Sequence, residues 1–349
     1  MENFGINGFG RIGRTAFRVW WERARDQANL AAINTSGSME IEDWAYLIKY
    51  DSNYGTFKEE VGVERLQKAK EATPENAVIG YLHIGGRKIA VTVGRDPALI
   101  PWHAFGVKVV IESTGAFTDA EKAGLHLQGG AQKVIISAPA KGEGVDMSVL
   151  GVNDFSPESQ IISNASCTTN CVAPVIKVMS EVFGIKKAML NTVHSYTDDQ
   201  NLQDNSQRDM RRSRAAALNI VPTTTGAATA VGEIFSPVKG IFDGVSFRVP
   251  SSTGSVSDIV MLLERNTTIE EVNQALIEAT GRPEMQGILT CTNDPIVSKD
   301  IVGRSDSSIV DLALTNVIDG DLVRVVAWYD NEFGYCCRLI DQTVRACNV

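Results

Sequence analysis

The sequence predicts an α/β fold with two domains: a doubly wound parallel sheet in the first, and an α+β arrangement with a mixed or antiparallel sheet in the second. Three patterns predict it. The chain opens with a strand, a glycine-rich turn and a helix, and short β-like runs then alternate with segments that could hold helices. Longer alternating runs begin only beyond about residue 166. Strands alternating with helices are typical of parallel sheets, whereas long alternating runs are typical of antiparallel or mixed sheets.

The first domain is predicted from short apolar runs. The opening strand covers Asn3–Ile6 and leads through a glycine turn into an apolar-periodic helix. Parallel strands need crossover connections, and the segments between the later runs are long enough to hold them. These later strands are predicted at Leu30–Ile33, Ile89–Val93, Val107–Ser113 and Val134–Ser137.

The second domain is predicted over residues 167–331. It opens on a helix, Thr168–Phe183, whose apolar residues follow i, i+3, i+4 spacing, with a slight kink expected at Pro174. The last stretch, Asn331–Val349, is predicted to be a helix that returns to the first domain, which then comprises residues 1–166 and 332–349. The alternating strands of the second domain are predicted at Lys187–His194, Gly240–Val249, Val256–Leu263 and Leu322–Tyr329.

Composition excludes several classes of function. The chain has 349 residues, 33 basic against 42 acidic side chains and a net charge of −9, which disfavours binding to nucleic acid or to an anionic membrane. No targeting or membrane-spanning segment is visible. The six cysteines form no CxxC pair, so we predict no metal site and a cytoplasmic location. An anionic ligand must therefore be held by a few local positive groups.

The glycine turn predicts a dinucleotide site. Gly8, Gly10 and Gly13 form GxGxxG after a predicted strand and at the start of a predicted helix. Glycine lets the backbone approach a pyrophosphate, which then binds the free N–H groups of the helix N-terminus. The sheet is therefore of the Rossmann type. A tight strand-to-helix turn without a ligand is the alternative.

The second strand lacks the acidic residue that usually follows in such sites. A carboxylate there bonds the adenosine ribose hydroxyls and repels a 2′-phosphate. Here the strand Leu30–Ile33 ends in Asn34-Thr35-Ser36-Gly37, with no carboxylate. The sequence therefore permits NADP and does not enforce NAD, unless this is a neutral loop without preference.

A cysteine and a histidine form the predicted reactive pair. Cys167 lies between a β-like run and a helix, where the helix dipole stabilises a thiolate and lowers its pKa. Cys171, on the same helical face, is interpreted as a core thiol. A lone cysteine is often structural, but the flanking hydroxyl residues indicate a pocket. His194 follows a strand and opens a polar loop, so its imidazole could draw the thiol proton.

Three segments resemble one enzyme family. They are residues 7–14, which read Asn-Gly-Phe-Gly-Arg-Ile-Gly-Arg, residues 166–171, which read Ser-Cys-Thr-Thr-Asn-Cys, and residues 328–335, which read Trp-Tyr-Asp-Asn-Glu-Phe-Gly-Tyr. Together they are similar to phosphorylating glyceraldehyde-3-phosphate dehydrogenase, and the resemblance covers nearly the whole chain. It implies a homotetramer that acts in glycolysis, gluconeogenesis or carbon fixation.

The resemblance implies a covalent mechanism for D-glyceraldehyde 3-phosphate. Cys167 attacks the aldehyde, His194 removes the hydroxyl proton and hydride passes to NAD(P)+. Inorganic phosphate then releases 1,3-bisphosphoglycerate from the thioacyl-enzyme. His194 also pairs with the thiolate at rest. The residues that match the substrate and phosphate sites are Ser166, Thr168, Thr197, Asp199, Arg212, Thr225, Gly226 and Arg248. For Arg212, in a run of arginines, a solvated face or a subunit contact is the alternative.

The resemblance also implies a cofactor site, with NADP or NAD as the cofactor. The acid after the second strand is missing, and Asp204-Asn205-Ser206-Gln207 stands where NAD-specific members resemble Leu-Pro. Both departures resemble the NADP-accepting photosynthetic members, so we expect NADP or dual use. The implied cofactor residues are Gly8, Gly10, Arg11, Ile12, Gly13, Asn34, Arg95, Ser137 and Asn331.

Two other functions remain open from the sequence. Erythrose-4-phosphate dehydrogenase shares the fold and the cysteine–histidine pair but hydrolyses its thioester, and Thr225-Gly226 argues for phosphate as the acceptor instead. A noncatalytic nucleotide- or partner-binding relative would be easier to accept if Cys167 or His194 were missing, and both are present.

Overall fold

The computed structural model describes all 349 residues, and the chain divides into two compact units. The first unit comprises residues 1–148, 155–165 and 336–349. The second comprises residues 149–154 and 166–335. None of the helices combines the length and the apolar character that a bilayer span requires.

The first unit contains eleven strands and three complete helices, together with most of the last helix. Its strands are β1 Asn3–Asn7, β2 Asn29–Thr35, β3 Tyr50–Asp51, β4 Gly55–Thr56, β5 Gly62–Arg65, β6 Val78–Ile84, β7 Arg87–Val93, β8 Val107–Glu112, β9 Lys133–Ile136, β10 Asp146–Met147 and β11 Ile161–Ser163. Its helices are α1 Arg11–Arg23, α2 Ile41–Lys49 and α3 Ala120–Gln128.

The main sheet of the first unit has nine strands in the order β10-β11-β9-β8-β1-β2-β7-β6-β5. Pairing is parallel from β10 to β7, which confirms the predicted fold class. The sheet is extended at one edge by antiparallel β6 and β5, which the sequence analysis did not predict. The signal was present: Gly85-Gly86 joins β6 to β7 with φ of +53° and +80°, the two-residue loop typical of a hairpin.

The glycine turn between β1 and α1 requires glycine at two positions. Gly8 has φ +89°, and a Cβ there would lie 2.7 Å from the Thr114 amide nitrogen. A Cβ on Gly13 would collide with the Gly8 carbonyl oxygen, so the helix can start this close to the strand only with glycine. No atom lies within 4 Å of the position that a Cβ on Gly10 would take.

The second unit contains the remaining elements. Its helices are α4 Cys167–Phe183, α5 Ala227–Ile234 and α6 Ile269–Thr280, and α7 Phe333–Cys347 starts in this unit and contributes its residues from Cys336 to the first. Its strands are β12 Ile185–Ser195, β13 Val221–Thr224, β14 Phe242–Val249, β15 Ser255–Leu263, β16 Leu289–Thr292, β17 Ser308–Asp311, β18 Asn316–Ile318 and β19 Leu322–Tyr329.

The sheet of the second unit is mixed, as predicted. Its order is β13-β14-β12-β15-β19-β17-β16, with β18 paired to β19. β12 pairs in parallel with β14 and antiparallel with β15. Helix α4 packs against this sheet with most of its apolar residues buried, and Pro174 lies inside the helix without ending it. The carboxyl ends of β12 and β14 therefore lie side by side.

Candidate active site

Cys167 and His194 form the contact at the centre of the site. Cys167 is the first residue of α4, one residue before the predicted start of this helix, and Ser166 caps the helix by accepting a hydrogen bond from the Thr169 amide at 3.0 Å. His194 lies near the end of β12 and is buried. The Cys167 Sγ atom is 3.4 Å from His194 Nε2, within reach of a thiol–imidazole hydrogen bond.

The hydrogen bonds of His194 determine its tautomer. Its Nδ1 lies 2.7 Å from the Ser195 carbonyl oxygen, which can only accept. Nδ1 therefore carries the proton of the neutral ring and Nε2 is an acceptor. The basic nitrogen consequently points at the thiol, as general base catalysis requires.

Burial sets the pKa values of this pair. Burial raises the pKa of the Cys167 thiol, while the charge of Arg248, the Thr168 hydroxyl and backbone N–H groups at the helix N-terminus act in the opposite direction. Burial and the nearby Arg248 lower the pKa of His194 to about 3. The helix-dipole argument predicts a lowered thiol pKa, whereas the pKa of Cys167 is raised, because burial outweighs the groups that favour the thiolate. The resting thiolate that the resemblance implies stays a prediction. Burial thus acts in favour of the neutral form of both groups.

Arg248 supplies the positive charge beside the pair. It is the cross-strand partner of His194 in the β12–β14 ladder. Its Nη1 donates to Thr197 Oγ1 at 2.6 Å and to the Ser195 carbonyl oxygen at 3.4 Å. Its Nε is buried and has no hydrogen-bond partner. A buried guanidinium N–H without an acceptor is suited to an oxygen of a bound anion.

A chain of hydrogen bonds joins Arg248 to three of the other predicted phosphate residues. Thr197 Oγ1 donates to Asp199 Oδ1, and Arg212 Nη1 pairs with Asp199 Oδ2. Arg212 also donates from Nη2 to Thr223 Oγ1 at 2.6 Å. Arg212 thus lies in the site, and its guanidinium is held by Asp199 and Thr223 rather than exposed as a surface charge.

The remaining predicted phosphate residues lie at helix starts. Thr225 Oγ1 accepts from the Ala227 amide at 3.2 Å, and Gly226 is the exposed residue that precedes α5. α5 packs against α4. No hydrogen bond joins Thr225 or Gly226 to the arginine chain. Thr168 Oγ1 is 2.8 Å from the hydroxyl of buried Tyr329, a residue that the sequence analysis did not select.

Asn331 is held by one side of its amide only. Its Oδ1 accepts from the Gly254 amide at 3.1 Å, from Ser255 Oγ at 3.0 Å and from Thr253 Oγ1 at 3.4 Å. A backbone N–H can only donate, so the oxygen of Asn331 must lie on this side. The Nδ2 group is thereby oriented away and has no partner within the chain, free to donate to a ligand carbonyl.

The glycine turn of the first unit fits a dinucleotide. The N-terminus of α1 has no side-chain cap and no acidic residue in its first turn, so the N–H groups of Ile12 and Gly13 have no partner in the chain. The open space at Gly10 is the space that a side chain would fill. The side chain of Arg11 pairs with Asp51. Arg11 is the first residue of α1. These are the features expected of a pyrophosphate site.

Comparisons with known proteins identify the family. Residues 2–120 match the family model "Glyceraldehyde 3-phosphate dehydrogenase, NAD binding domain", and residues 166–331 match "Glyceraldehyde 3-phosphate dehydrogenase, C-terminal domain". The chain belongs to the glyceraldehyde-3-phosphate dehydrogenase family. It is therefore an oxidoreductase with an NAD-binding domain, as the resemblance implied.

Full-length relatives agree with the glyceraldehyde-3-phosphate dehydrogenase assignment. The chain is 49% identical over 344 residues to glyceraldehyde-3-phosphate dehydrogenase of Thermotoga maritima, covering 98% of each chain. It is 48% identical over 340 residues to glyceraldehyde-3-phosphate dehydrogenase 2 of Streptomyces arenae, covering 97% of this chain and 96% of the relative. It is 46% identical over 338 residues to chloroplastic glyceraldehyde-3-phosphate dehydrogenase A of Chlamydomonas reinhardtii, covering 96% and 86%.

Asn34, the predicted ribose ligand, makes several hydrogen bonds within the first unit. Asn34 is buried, and its Nδ2 donates to Asn7 Oδ1 at 2.7 Å and to the Gly94 carbonyl oxygen at 2.8 Å. Its Oδ1 accepts from Thr92 Oγ1 at 2.9 Å. The Asn34 side chain thus ties the ends of β1, β2 and β7 together. The exposed hydroxyls beyond β2 belong to Ser36 and Ser38.

The other predicted cofactor residues lie at strand ends of the first unit. Arg95 is exposed and follows β7, whose residue Val93 is the cross-strand partner of Thr35. Ser137 follows β9, and its amide donates to the Glu112 carbonyl oxygen at 2.9 Å. Arg95 and the serines beyond β2 therefore belong to the ends of neighbouring parallel strands, where such folds bind ligands.

Proposed function

We propose that this chain is a phosphorylating glyceraldehyde-3-phosphate dehydrogenase that oxidises D-glyceraldehyde 3-phosphate with inorganic phosphate and NAD(P)+ to 1,3-bisphosphoglycerate. The observation that carries the proposal is the contact of Cys167 Sγ with the unprotonated Nε2 of His194 at 3.4 Å, beside Arg248. Membership of the family supplies the reaction class. The substrate, the phosphate acceptor and the thioacyl intermediate belong to the proposal.

The proposed chemistry uses Nε2 of His194 as a proton carrier. The Cys167 thiol gives its proton to Nε2 as sulfur bonds to the aldehyde carbon, and the carbonyl oxygen takes that proton to give a hemithioacetal. Nε2 then removes the same proton as hydride leaves the carbon, which leaves a thioester on Cys167. When bound, the nicotinamide ring supplies the acceptor for this hydride. A phosphate oxygen finally bonds to the thioester carbon as the carbon–sulfur bond breaks.

The arginine chain supplies the charge that the two phosphates need. The unpartnered Nε of Arg248 can donate to a phosphate oxygen, while Asp199 and Thr223 hold Arg212 in place. The exposed Gly226 at the start of α5 supports a second anion position, because helix N-termini favour negative charge. Bidentate guanidinium contacts suit phosphate better than a point charge does.

The proposed cofactor use is NADP or both NADP and NAD. Beyond β2 the exposed side chains are the hydroxyls of Ser36 and Ser38, and no carboxylate stands there to repel a 2′-phosphate. Arg95, beyond the neighbouring strand β7, offers a positive charge. The Asn34 side chain bonds Asn7 and the Gly94 carbonyl oxygen at this edge, and its contact with the ribose stays a prediction.

Steady-state kinetics with glyceraldehyde 3-phosphate tests the proposal. Turnover should require phosphate, and NADP should be used at least as well as NAD. Equal rates with and without phosphate would favour a hydrolytic thioester mechanism, as in erythrose-4-phosphate dehydrogenase. A kcat/KM preference for NAD above about a hundredfold, which corresponds to about 2.7 kcal/mol, would overturn the cofactor proposal.

A pair of cysteine variants tests the covalent step. Cys167→Ser should abolish turnover, since a serine hydroxyl is a far weaker nucleophile at neutral pH. Cys291→Ser is the matched control: Cys291 is a partly buried free thiol on β16, and burial raises its pKa to about 11. Undiminished activity of Cys167→Ser would exclude the proposed thioester.

The proposed assembly is a homotetramer, as the family resemblance implies. The irregular segment between β12 and β13 exposes large apolar side chains, among them Leu218 at 83% and Leu202 at 80% exposure. Met189 and Val193 are exposed on the outer face of β12. Exposed large apolar side chains of this kind favour contacts between protein chains. Light scattering should give four times the chain mass of 37.8 kDa.

A further inference from the structure

Ser255 lies where three functional strands of the second unit end together. It is the first residue of β15, the strand between β12 and β19. β12 carries His194 and Ser195 at its end, and β19 ends at Tyr329, two residues before Asn331. Ser255 is buried and is the cross-strand partner of Tyr329. Its side chain can therefore reach both neighbouring strand ends.

On the side of β12, the Ser255 hydroxyl oxygen accepts a hydrogen bond from a backbone N–H group that has no strand partner in β15. The ladder between β12 and β15 ends at Val193 and Val256. Beyond it, the Ser195 amide donates to Ser255 Oγ at 3.1 Å. This amide belongs to the peptide that joins His194 to Ser195, and the next carbonyl, that of Ser195, holds His194 Nδ1. Ser255 therefore fixes the backbone from which the general base extends.

On the side of β19, the same hydroxyl donates to Asn331. Because the Ser195 N–H can only donate, Ser255 Oγ is its acceptor, and the hydroxyl proton is free to bond Asn331 Oδ1 at 3.0 Å. The donor and the acceptor of both Ser255 hydrogen bonds are thus determined. The bond helps to orient Asn331, whose Nδ2 is left for a ligand.

We propose that Ser255 is a positioning residue that couples the general base His194 to the cofactor-orienting amide of Asn331 through one hydroxyl group. The inference rests on the proposed roles of His194 and Asn331 and adds that the two are not independent. Loss of the hydroxyl leaves the buried Ser195 N–H without an acceptor and removes one of three donors to Asn331 Oδ1. Both the thiol–imidazole contact and the cofactor contact then loosen together.

Two measurements that do not require turnover test the coupling. The first is the rate at which iodoacetamide alkylates Cys167 in the cofactor-free protein from pH 5 to 9, followed by peptide mass. The second is the dissociation constant of NADP or NAD from fluorescence quenching. Ser255→Ala should slow alkylation at pH 7 and weaken cofactor binding, each by about tenfold, the effect of one lost buried hydrogen bond. Ser255→Thr keeps the hydroxyl and should restore both to within about threefold.

Ser257→Ala is the matched control. Ser257 is buried two residues further along β15 and bonds neither Ser195 nor Asn331. It should stay within about twofold of the wild type in both measurements. Equal behaviour of Ser255→Ala and Ser257→Ala would overturn the proposal.

Asn331→Ala tests the coupling by removing the acceptor of the Ser255 hydroxyl. It also provides the test if Ser255→Ala does not fold. Removal of the acceptor should change alkylation of Cys167 by at least about threefold without any cofactor present. In this background, Ser255→Ala should add less than about twofold to the cofactor dissociation constant. Unchanged alkylation, or effects that simply multiply, would overturn the coupling. A wild type that binds cofactor and is alkylated at Cys167 but does not turn over glyceraldehyde 3-phosphate would overturn the proposed function alone.

Discussion

His194 and Arg248 are direct cross-strand partners on the parallel strands β12 and β14. Burial is the largest cause of the lowered pKa of His194, and the charge of Arg248 is the next largest. The same charge opposes the rise in the pKa of Cys167. One charge therefore favours both the unprotonated base and the ionised nucleophile. The same guanidinium keeps a buried Nε available for an anion.

Replacing Arg248 by methionine should impair binding and thiol reactivity together. We expect the KM for glyceraldehyde 3-phosphate to rise by about tenfold to a hundredfold, because a charge-assisted contact of about 1.5–3 kcal/mol is lost. Alkylation of Cys167 at pH 7 should also slow, since the positive charge that lowers the pKa of its thiol is gone. Arg324→Met, at an exposed arginine on β19 paired with Asp258, should change neither. An unaltered KM for Arg248→Met would place the substrate phosphate elsewhere.

Replacing Gly10 or Gly13, two of the three glycines of the turn, should have different effects on stability. Gly13→Ala forces a Cβ against the Gly8 carbonyl oxygen, so we expect a loss of about 2 kcal/mol or more and a Tm lowered by about 5 °C. Gly10→Ala meets open space and should lower Tm by less than about 3 °C.

Gly10→Ala should affect cofactor binding more strongly than it affects Tm. A methyl group in the space left by Gly10 stands where a pyrophosphate would approach, so the cofactor dissociation constant should rise by on the order of tenfold. Calorimetric melting and fluorescence titration of both variants measure the two effects. A Gly10→Ala variant with unchanged cofactor affinity would contradict the pyrophosphate assignment.

Local patterns predicted the elements that carry the site. The first strand was predicted at Asn3–Ile6 and is observed at Asn3–Asn7, and the helix predicted at Thr168–Phe183 begins one residue earlier, at Cys167. Both depend on short-range features: a glycine turn, an N-cap serine and an apolar period. Such features are written in neighbouring residues, so they can be recognised without knowledge of the fold.

Contacts between distant residues could not be predicted in this way. Asn34 bonds the Gly94 carbonyl oxygen 60 residues away, a contact that no local pattern indicates. Ser255 and Asn331 are 76 residues apart, and only the adjacency of β15 and β19 brings them together. The direction of the Cys167 pKa likewise depended on burial, which the helix-terminus argument does not include.

The exposed serine beyond β2 offers a test of cofactor choice. Ser36→Asp should raise the KM for NADP by on the order of tenfold with little effect on NAD, because a carboxylate near a 2′-phosphate costs about 1–2 kcal/mol in screened surroundings. Ser36→Asn introduces a side chain that is nearly the size of aspartate but uncharged. It should keep the ratio of KM for NADP to KM for NAD within about twofold of the wild type. Kinetics with both cofactors gives the ratio. Equal changes in the two variants would show that shape and not charge is responsible.

The buried His194 should make the cofactor-free protein less stable in acid. Burial lowers the pKa of His194 to about 3, whereas the unfolded chain has the ordinary pKa of about 6.5. The unfolded state therefore binds more protons between these values, so the stability contributed by the neutral ring is fully present above pH 6.5 and is lost as the pH falls below it. From pH 7 to pH 5 this amounts to about 2 kcal/mol.

Urea unfolding of the wild type and of His194→Asn at pH 7, 6 and 5 measures this contribution. The wild type should lose about 2 kcal/mol more than His194→Asn over this range, because the variant has no imidazole to protonate at this position. His83→Asn, which removes an exposed histidine beside Glu64, should follow the wild type. If the wild type and His194→Asn lose stability equally, the folded protein takes up a proton at this site over the same pH range as the unfolded chain, and the lowered pKa of His194 is overturned.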